Sequence, residues 1–325
     1  MVMRKVAGNA LTHVLGVKPG EHLLIVTDEH RIEIGNAFYE AGEKLGMQGR
    51  LFVLGDTERP LMDLPHDLKR ALDGAQVMVS VFVGYPEETP FRVKLLKTAA
   101  SSGVRTGHGP GISDDMMTEG AMRVDFRDLA DIGDRLVDDL KGATRAHLTS
   151  PAGADIWFST TGRVFESDVR IPPGKFGNLP NGEVRVAPLE TDARGTLVCD
   201  STIGDLGKVT APVSIEVVDG RIASISGDDA GLITRIQELT SVDEEASLVG
   251  ELGIGINPAA RVIGNMLEDE KAVGTVHVAF GNNTEMGGTN GSRTHRDFHL
   301  LLPTLTIEFE DGRTKTVVRD GKLVG

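Results

Sequence analysis

Short apolar runs alternate with helix-like segments up to about residue 145. HLLIVT (His22–Thr27) follows a Lys-Pro-Gly turn and has the pattern of a buried strand, and Glu33–Gly46 has that of a helix ending at Gly46. Further strands are predicted at Arg50–Gly55, Val77–Val83 and Gly103–Gly107, with helices near His66–Leu72, Pro90–Ala100 and Asp125–Leu140. Because strands and helices alternate, we predict that residues 1–145 form an α/β domain with a parallel sheet.

After Leu148 short β-rich runs replace this alternation. Asp-Gly pairs, which favour tight hairpin turns, join several of them and stand at Asp219-Gly220, Asp311-Gly312 and Asp320-Gly321. Helices are predicted near Asp229–Leu239 and Asn257–Leu267. We therefore predict a second domain over residues 146–325, of α+β class with a mainly antiparallel sheet.

Composition narrows the possible partners and the compartment. The 325 residues carry a formal net charge of −14, which argues against a nucleic-acid partner because phosphate binding needs clustered Lys and Arg. Cys199 is the only cysteine, and no window approaches the ~18 apolar residues of a membrane span. The first residues fit an amphipathic helix better than a signal peptide. We expect a soluble cytoplasmic protein that binds neither membrane nor nucleic acid.

The most informative segment is THRDFH (Thr294–His299). On a strand, the side chains of His295, Asp297 and His299 would point to one face because successive residues alternate. Two imidazoles and a carboxylate are expensive to bury without partners, yet the apolar run Leu300–Leu302 follows them. A bound metal ion would resolve this conflict; the alternative is a solvated strand face.

Neighbouring segments add further ligand types. His277 is the one ionisable residue of the apolar pattern TVHVAFG, Glu251 precedes the Gly-rich run of ELGIGINP, and Glu183 follows a Pro-Asn-Gly turn. Taken singly, such a histidine is usually a core residue and such a glutamate is usually solvated. Together with His295 and Asp297 they supply three carboxylates and two imidazoles, a set that suits Zn²⁺, Mn²⁺ or Co²⁺ and can hold two ions with Asp297 bridging.

Two glycine-rich segments give weaker indications of function. GNNTEMGGTNGS (Gly281–Ser292) is either a loop that lets backbone approach a substrate or a flexible connection, and Glu285 within it is a candidate ligand or acid/base group. GHGPGISDDM (Gly107–Met116) departs from a dinucleotide fingerprint at Pro110. Ser113 is better interpreted as the N-cap of a short helix.

The order of these motifs resembles a known family. NLPNGEV, APLE, GTLVCDSTIG, ELGIGINP, GTVHVAFG and HRD look like the metallo-aminopeptidases of the aminopeptidase T / aminopeptidase S type, and GPGISDDMM resembles part of their first domain. The resemblance implies a homodimeric exopeptidase that uses two divalent ions (Zn, Co or Mn) to remove N-terminal residues from peptides. The implied metal ligands are Glu183, Glu251, His277, His295 and Asp297.

The chain departs from that family at a few positions. The tyrosine that the family carries shortly after its first histidine has no counterpart in Gly281–Glu285, and one glutamate rather than two stands at Glu183. A related group, the 2,5-dihydroxypyridine 5,6-dioxygenases, resembles the same scaffold and binds one non-haem iron. His277, His295 and Asp297 could form such a two-histidine, one-carboxylate site for a single Fe(II).

Three functions thus remain open. The first is a two-metal aminopeptidase with Glu183 or Glu285 as the general base. The second is an iron-dependent ring-cleaving dioxygenase acting on a small molecule. The third is a non-catalytic binding protein with a degraded site. Because the iron triad leaves Glu183 and Glu251 without a role, we favour the hydrolase.

Overall fold

The structure, a computed structural model, describes residues 1–324. Its α-helices are α1 (Val2–His13), α2 (Ile32–Lys44), α3 (His66–Leu72), α4 (Thr89–Ser101), α5 (Asp114–Thr118), α6 (Phe126–Asp139), α7 (Ala230–Leu239) and α8 (Met266–Asp269). Its first ten strands are β1 (His22–Asp28), β2 (Gln48–Leu54), β3 (Val77–Val81), β4 (Arg105–His108), β5 (Ala143–Thr149), β6 (Asp155–Ser159), β7 (Glu166–Ser167), β8 (Phe176–Asn178), β9 (Glu183–Val186) and β10 (Ala193–Cys199). The remaining strands are β11 (Thr202–Ile203), β12 (Gly207–Lys208), β13 (Val213–Val218), β14 (Arg221–Ser226), β15 (Val249–Gly255), β16 (Val276–Gly281), β17 (His295–Leu300), β18 (Thr304–Phe309), β19 (Thr314–Arg319) and β20 (Lys322–Leu323).

The first sheet is parallel, with strand order β2-β1-β3-β4-β8. Leu24 and Val26 of β1 belong to a buried apolar cluster that also contains residues of α3 and α4. On the opposite face, Gly35 of α2 packs so closely on β1 that an added Cβ would lie 2.8 Å from the Cγ2 atom of Thr27. Helices thus cover both faces of β1, which explains why HLLIVT is apolar without alternation. The predicted α/β architecture with a parallel sheet is confirmed.

The other two sheets are antiparallel, as predicted for the second domain. Their orders are β14-β13-β10-β6-β5-β18-β19-β20 and β12-β11-β17-β16-β15-β9-β7. The turn between β13 and β14 has positive φ at both central residues, 49° at Asp219 and 74° at Gly220. These angles match the twist of a two-residue hairpin, which is why Asp-Gly predicts this turn.

One predicted helix is wrong. Residues 257–265 are not helical, and only the single turn α8 follows them. Gly264 (φ 89°) interrupts the segment, and Asn265 starts α8 by accepting a hydrogen bond from the Leu267 N–H at 3.2 Å. By contrast, Ser113 caps α5 as predicted, with its hydroxyl accepting from the Met116 N–H at 3.2 Å.

Contacts group the chain into two compact units. The first comprises Met1–Ala130 and Asp168–Asn181, and the second comprises Asp131–Ser167 and the chain from Gly182 onward. The domain boundary predicted at residue 145 stays a prediction. Among the helices that the structure describes, none is long and apolar enough to cross a membrane.

Candidate metal centre

The candidate site lies on one face of the seven-stranded sheet. In β15, β16 and β17, residues on one face are apolar and buried except Arg296, and Phe280 and Phe298 meet there edge to face at 5.6 Å between ring centroids. Ionisable residues occupy the other face. The register pairs Ala279 with both Glu251 and Asp297, so these two carboxylates lie in one row across three strands with the small alanine between them. The alternation therefore separates the core face from the chemical face.

Glycines create the room that this face needs. Gly253 of β15 stands opposite His277, and a Cβ there would overlap the imidazole ring. Gly250 lies at a β-bulge immediately before Glu251, against the carbonyl oxygen of Gly281. The Gly-rich pattern of GELGIG thus allows the His277 ring to lie flat across β15 beside Glu251.

Glu251 lies between the two histidines. Its Oε1 atom is 3.4 Å from Nε2 of His277, and its Oε2 atom is 3.2 Å from Nε2 of His295. The same His295 nitrogen is 3.2 Å from Oδ1 of Asp297. The side chains of Glu251 and His277 are 3% and 1% exposed, whereas that of His295 is 34% exposed. The site therefore opens to solvent on the His295 side.

A second group of ligand types adjoins the first. Oε2 of Glu183 lies 3.4 Å from Nε2 of His277. Glu183, Glu270 and His277 have ligand atoms within 4.8 Å of one another, as do Glu251, His277 and Asp297. His277 belongs to both groups. The structure thus brings together Glu183, Glu251, His277, His295 and Asp297, while the role of Asp297 as a bridge between two ions stays a prediction.

The electrostatics of the cluster favour a cation. Burial alone would raise the pKa of the Glu251 carboxyl, but hydrogen bonds from His277 and His295 hold it well below its usual range. Burial would lower the pKa of His277, yet the hydrogen bond to Glu251 and the charge of Glu183 raise it to about 9. Protons on the imidazoles balance the carboxylates when no metal is bound. A divalent ion would displace those protons, since histidine coordinates metals in its neutral form.

The donor set itself fits a divalent ion. Two imidazole nitrogens and two carboxylates face one another at Glu251, His277, His295 and Asp297. Such mixed nitrogen and oxygen ligation suits Zn²⁺, Mn²⁺, Co²⁺ and Fe²⁺. We conclude that the chain carries a candidate metal-binding cluster, as the sequence predicted.

His299 lies on the same face but deeper. Its side chain is fully buried, and burial together with the nearby His277 charge lowers its pKa to about 3. His299 pairs with His277 in the register of β16 and β17. It is therefore a neutral neighbour beneath the cluster.

The glycine-rich loop is anchored rather than free. Glu190, whose side chain is buried, accepts hydrogen bonds from the Thr289 N–H at 2.7 Å and from Nδ2 of Asn283 at 3.0 Å. Arg163 adds an ion pair to Glu190 at 2.6 Å. Glu285 lies exposed in the loop, within a one-turn 3-10 helix. The catalytic roles predicted for Glu285 and Glu183 stay predictions.

Sequence reasoning missed two members of the cluster. Glu270 and Lys271 end the charged run Glu268–Lys271, which has the composition of a solvated surface segment. In the structure all four side chains of that run are buried. The signal that could have found them is their position directly before the buried strand of His277, with Gly274 as the turn between.

Comparison with known proteins identifies the family. The sequence profile of the 2,5-dihydroxypyridine 5,6-dioxygenase family, NicX, matches residues 128–325. This match covers more than half of the chain, including every residue of the cluster, and the chain belongs to this family. A curated relative, the 2,5-dihydroxypyridine 5,6-dioxygenase of Pseudomonas putida KT2440, is 28% identical over 202 residues. The match spans 57% of this chain and about half, 55%, of that relative.

Two solved structures share the fold over nearly the whole chain. The 2,5-dihydroxypyridine dioxygenase from Pseudomonas putida KT2440 aligns with a TM-score of 0.73 at 20% identity, over 99% of this chain and 97% of that one. Wild-type AmpT from Thermus thermophilus aligns with a TM-score of 0.75 at 16% identity, over 99% of both chains. At these identities the likeness establishes the fold, which agrees with the aminopeptidase T scaffold that the motifs suggested.

Proposed function

We propose that this protein is a metal-dependent aminopeptidase. The observation that carries the proposal is the position of Glu251, whose two carboxylate oxygens face the Nε2 atoms of His277 and His295. Glu251, His277 and Asp297 have ligand atoms within 4.8 Å of one another, and His295 adjoins this group through Glu251 and Asp297. Metal-dependent hydrolases commonly bind their ions through histidine and carboxylate ligands of this kind.

The number of open coordination positions separates hydrolysis from ring cleavage. A two-histidine, one-carboxylate iron centre leaves about three of six positions open for oxygen and substrate. In this chain Glu251 lies between both histidines, and as a fourth protein ligand it would leave about two of six positions open. Two positions suffice for a water molecule and a peptide carbonyl, which is why the geometry favours a hydrolase.

The buried and the exposed residues of the site would have different roles. A divalent ion bound there would polarise the substrate carbonyl and lower the pKa of a bound water. Glu251 and His277, both buried, would hold the ion from the closed side of the site. His295 and Asp297, whose side chains are 34% and 15% exposed, line the opening through which water and substrate would reach it.

The test measures hydrolysis after metal loading. Protein stripped with a chelator and reloaded with Mn²⁺, Co²⁺ or Zn²⁺ is assayed for release of free amino acid from dipeptides and amino-acid anilides. We expect release that depends on the added ion and on a free amino terminus, so that N-acetylated substrates stay intact. Metal-loaded protein that leaves every unblocked substrate intact would refute the proposal.

A second candidate is a ring-cleaving dioxygenase acting on a hydroxylated pyridine with a single Fe(II). Family membership over the half of the chain that holds the cluster favours it. Anaerobic loading with Fe²⁺, followed by oxygen-electrode measurements with 2,5-dihydroxypyridine, separates the two functions. Oxygen uptake in a one-to-one ratio with substrate loss would establish the dioxygenase. Metal binding with neither reaction would favour the third possibility, a non-catalytic binding protein.

A further inference from the structure

A buried lysine stands inside the metal cluster. Nζ of Lys271 lies 2.8 Å from Oε1 of Glu183 and 2.8 Å from Oε1 of Glu270. The Lys271 side chain is 1% exposed, and those of Glu183 and Glu270 are 3% and 9% exposed. A lysine is almost never buried to this extent unless its charge is paired. Its ammonium group therefore has a defined position between the two carboxylates.

The backbone fixes this position. The Lys271 N–H donates to the Glu268 carbonyl at 3.0 Å, and the Lys271 carbonyl accepts from the Asn257 N–H at 2.8 Å. The next residue, Ala272, places its carbonyl oxygen where a Cβ on Gly255 would lie. Gly255 is also the register partner of Glu183. The missing side chain at Gly255 thus lets the segment carrying Lys271 approach the strand that carries Glu183.

The Lys271 ammonium group binds the same carboxylate oxygens that a second metal ion would need as ligands. Glu183, Glu270 and His277 form the second of the two ligand groups, and two of its three members already bind the ammonium. A divalent ion held by those same oxygens would lie within a few ångströms of a fixed positive charge. At that distance two like charges repel strongly, and more so in a buried site than in water.

The charged side chains around the cluster also argue against a second metal ion. Four carboxylates, Glu183, Glu251, Glu270 and Asp297, meet the ammonium of Lys271 and the guanidinium of Arg185, whose Nη1 atom is 3.4 Å from Glu183. With neutral imidazoles, two negative charges remain. Arg185 also pairs with Glu166 at 3.5 Å, so the cation that lies between buried carboxylates of the second ligand group is Lys271. A second ion placed beside Lys271 would add a buried positive charge that is costly in a low-dielectric interior.

We infer that the Lys271 ammonium takes the place of a second metal ion, so that this chain binds a single divalent cation at Glu251, His277, His295 and Asp297. The inference rests on the proposed metal site but not on the reaction, because either enzymatic function can use one ion. The 2,5-dihydroxypyridine 5,6-dioxygenases also bind one ion; the new element is Lys271, which takes the second place of the two-ion centre that the aminopeptidase resemblance implied.

The test counts ions rather than activity. Chelator-stripped wild-type protein is dialysed to equilibrium against Mn²⁺ or Co²⁺, and bound metal is measured by elemental analysis. We expect about one ion per chain in wild type and in Lys271→Arg, which keeps the charge. Lys271→Met removes the charge with similar volume and should bind about two. The double variant Lys271→Met/Glu183→Gln should return to about one, because the second place then lacks a carboxylate.

Each result either supports or overturns the role inferred for Lys271. Two ions in the wild-type chain would overturn the inference, as would a folded Lys271→Met protein that still binds one. If Lys271→Met does not fold, as circular dichroism would reveal, the uncharged variant Lys271→Gln takes its place in the count, again with about two ions expected. No bound ion in wild type would instead refute the metal site itself. Loss of peptidase activity with one ion bound would refute only the proposed reaction.

Discussion

Gly253 and His277 face each other across β15 and β16, and the histidine ring occupies the space that a side chain at residue 253 would fill. This relationship connects a feature of the sequence, a glycine within an apolar strand, to the geometry of the ligand cluster. Glycine weakens a strand interior, so its presence there indicates a close approach. Here the approach places Nε2 of His277 3.4 Å from carboxylates on both sides, Glu183 and Glu251.

The first prediction follows from this contact. Gly253→Ala adds a methyl group that displaces the His277 ring, and because metal affinity depends on ligand placement we expect it to fall by roughly 10- to 100-fold. Isothermal titration with Mn²⁺ measures the change. Gly55→Ala is the matched control, since an added Cβ there meets no atom within 4 Å. Unchanged affinity in Gly253→Ala would contradict the role assigned to this glycine.

Part of the site could be predicted from the sequence, and the reason is strand periodicity. His295, Asp297 and His299 share a face because side chains alternate, and His277 and Glu251 each interrupt a strongly apolar pattern. Glu270 and Lys271 could not be predicted in this way. They lie in a turn segment whose burial depends on the tertiary approach of Ala272 to Gly255, which leaves no periodic signal.

The fold was predictable to a similar extent. Long periodic segments gave the correct helices and strands, and Asp-Gly pairs gave the correct hairpin turns. The helix predicted at Asn257–Leu267 does not form, because Gly264 has a positive φ and the chain turns there before α8 begins. In the structure Asp269 holds this segment by accepting hydrogen bonds from the Ile263 N–H at 2.7 Å and the Gly264 N–H at 2.9 Å.

The second prediction concerns the glycine-rich loop. Glu190→Ala removes the acceptor of three donors, from Arg163, Asn283 and Thr289, and leaves the buried donors unsatisfied. We expect about 1–3 kcal/mol of local destabilisation, seen as faster proteolysis and faster amide exchange within Gly281–Ser292. Glu285→Gln, an exposed change in the same loop, should leave both rates unchanged. It also tests the predicted catalytic role of Glu285, because a large loss of activity would support that role.

The third prediction concerns acid stability. Burial, with a smaller effect of the Arg92 charge, lowers the pKa of His108 from 6.5 to about 3, and its Nδ1 atom is 2.7 Å from Oγ of Ser80. The folded protein keeps this imidazole neutral while the unfolded chain takes up a proton below pH 6.5. The contribution of His108 is therefore complete above that pH and is lost progressively down to about pH 3.

His108→Gln, which keeps a polar group for Ser80, should reduce this pH dependence. From pH 7 to pH 5 the wild-type protein should lose about 2 kcal/mol more unfolding free energy than the variant. Urea unfolding at the two pH values measures the difference. His66→Gln is the control, because His66 is exposed at the start of α3 and should leave the pH dependence as it is. Equal slopes for wild type and His108→Gln would show that His108 does not stay neutral in the folded state.

The metal site is the central claim, and counting metal ions in Glu251→Ala tests it most directly. Glu251 is the residue that contacts both imidazoles, so its removal takes away a ligand and the carboxylate that orients the other two. Elemental analysis after equilibrium dialysis against micromolar Mn²⁺ should give about one ion per wild-type chain and well below one in Glu251→Ala. Glu310→Gln, an exposed change directly after β18, processed in parallel, should match wild type. Equal metal content in Glu251→Ala and wild type, or none in either, would contradict the proposed centre.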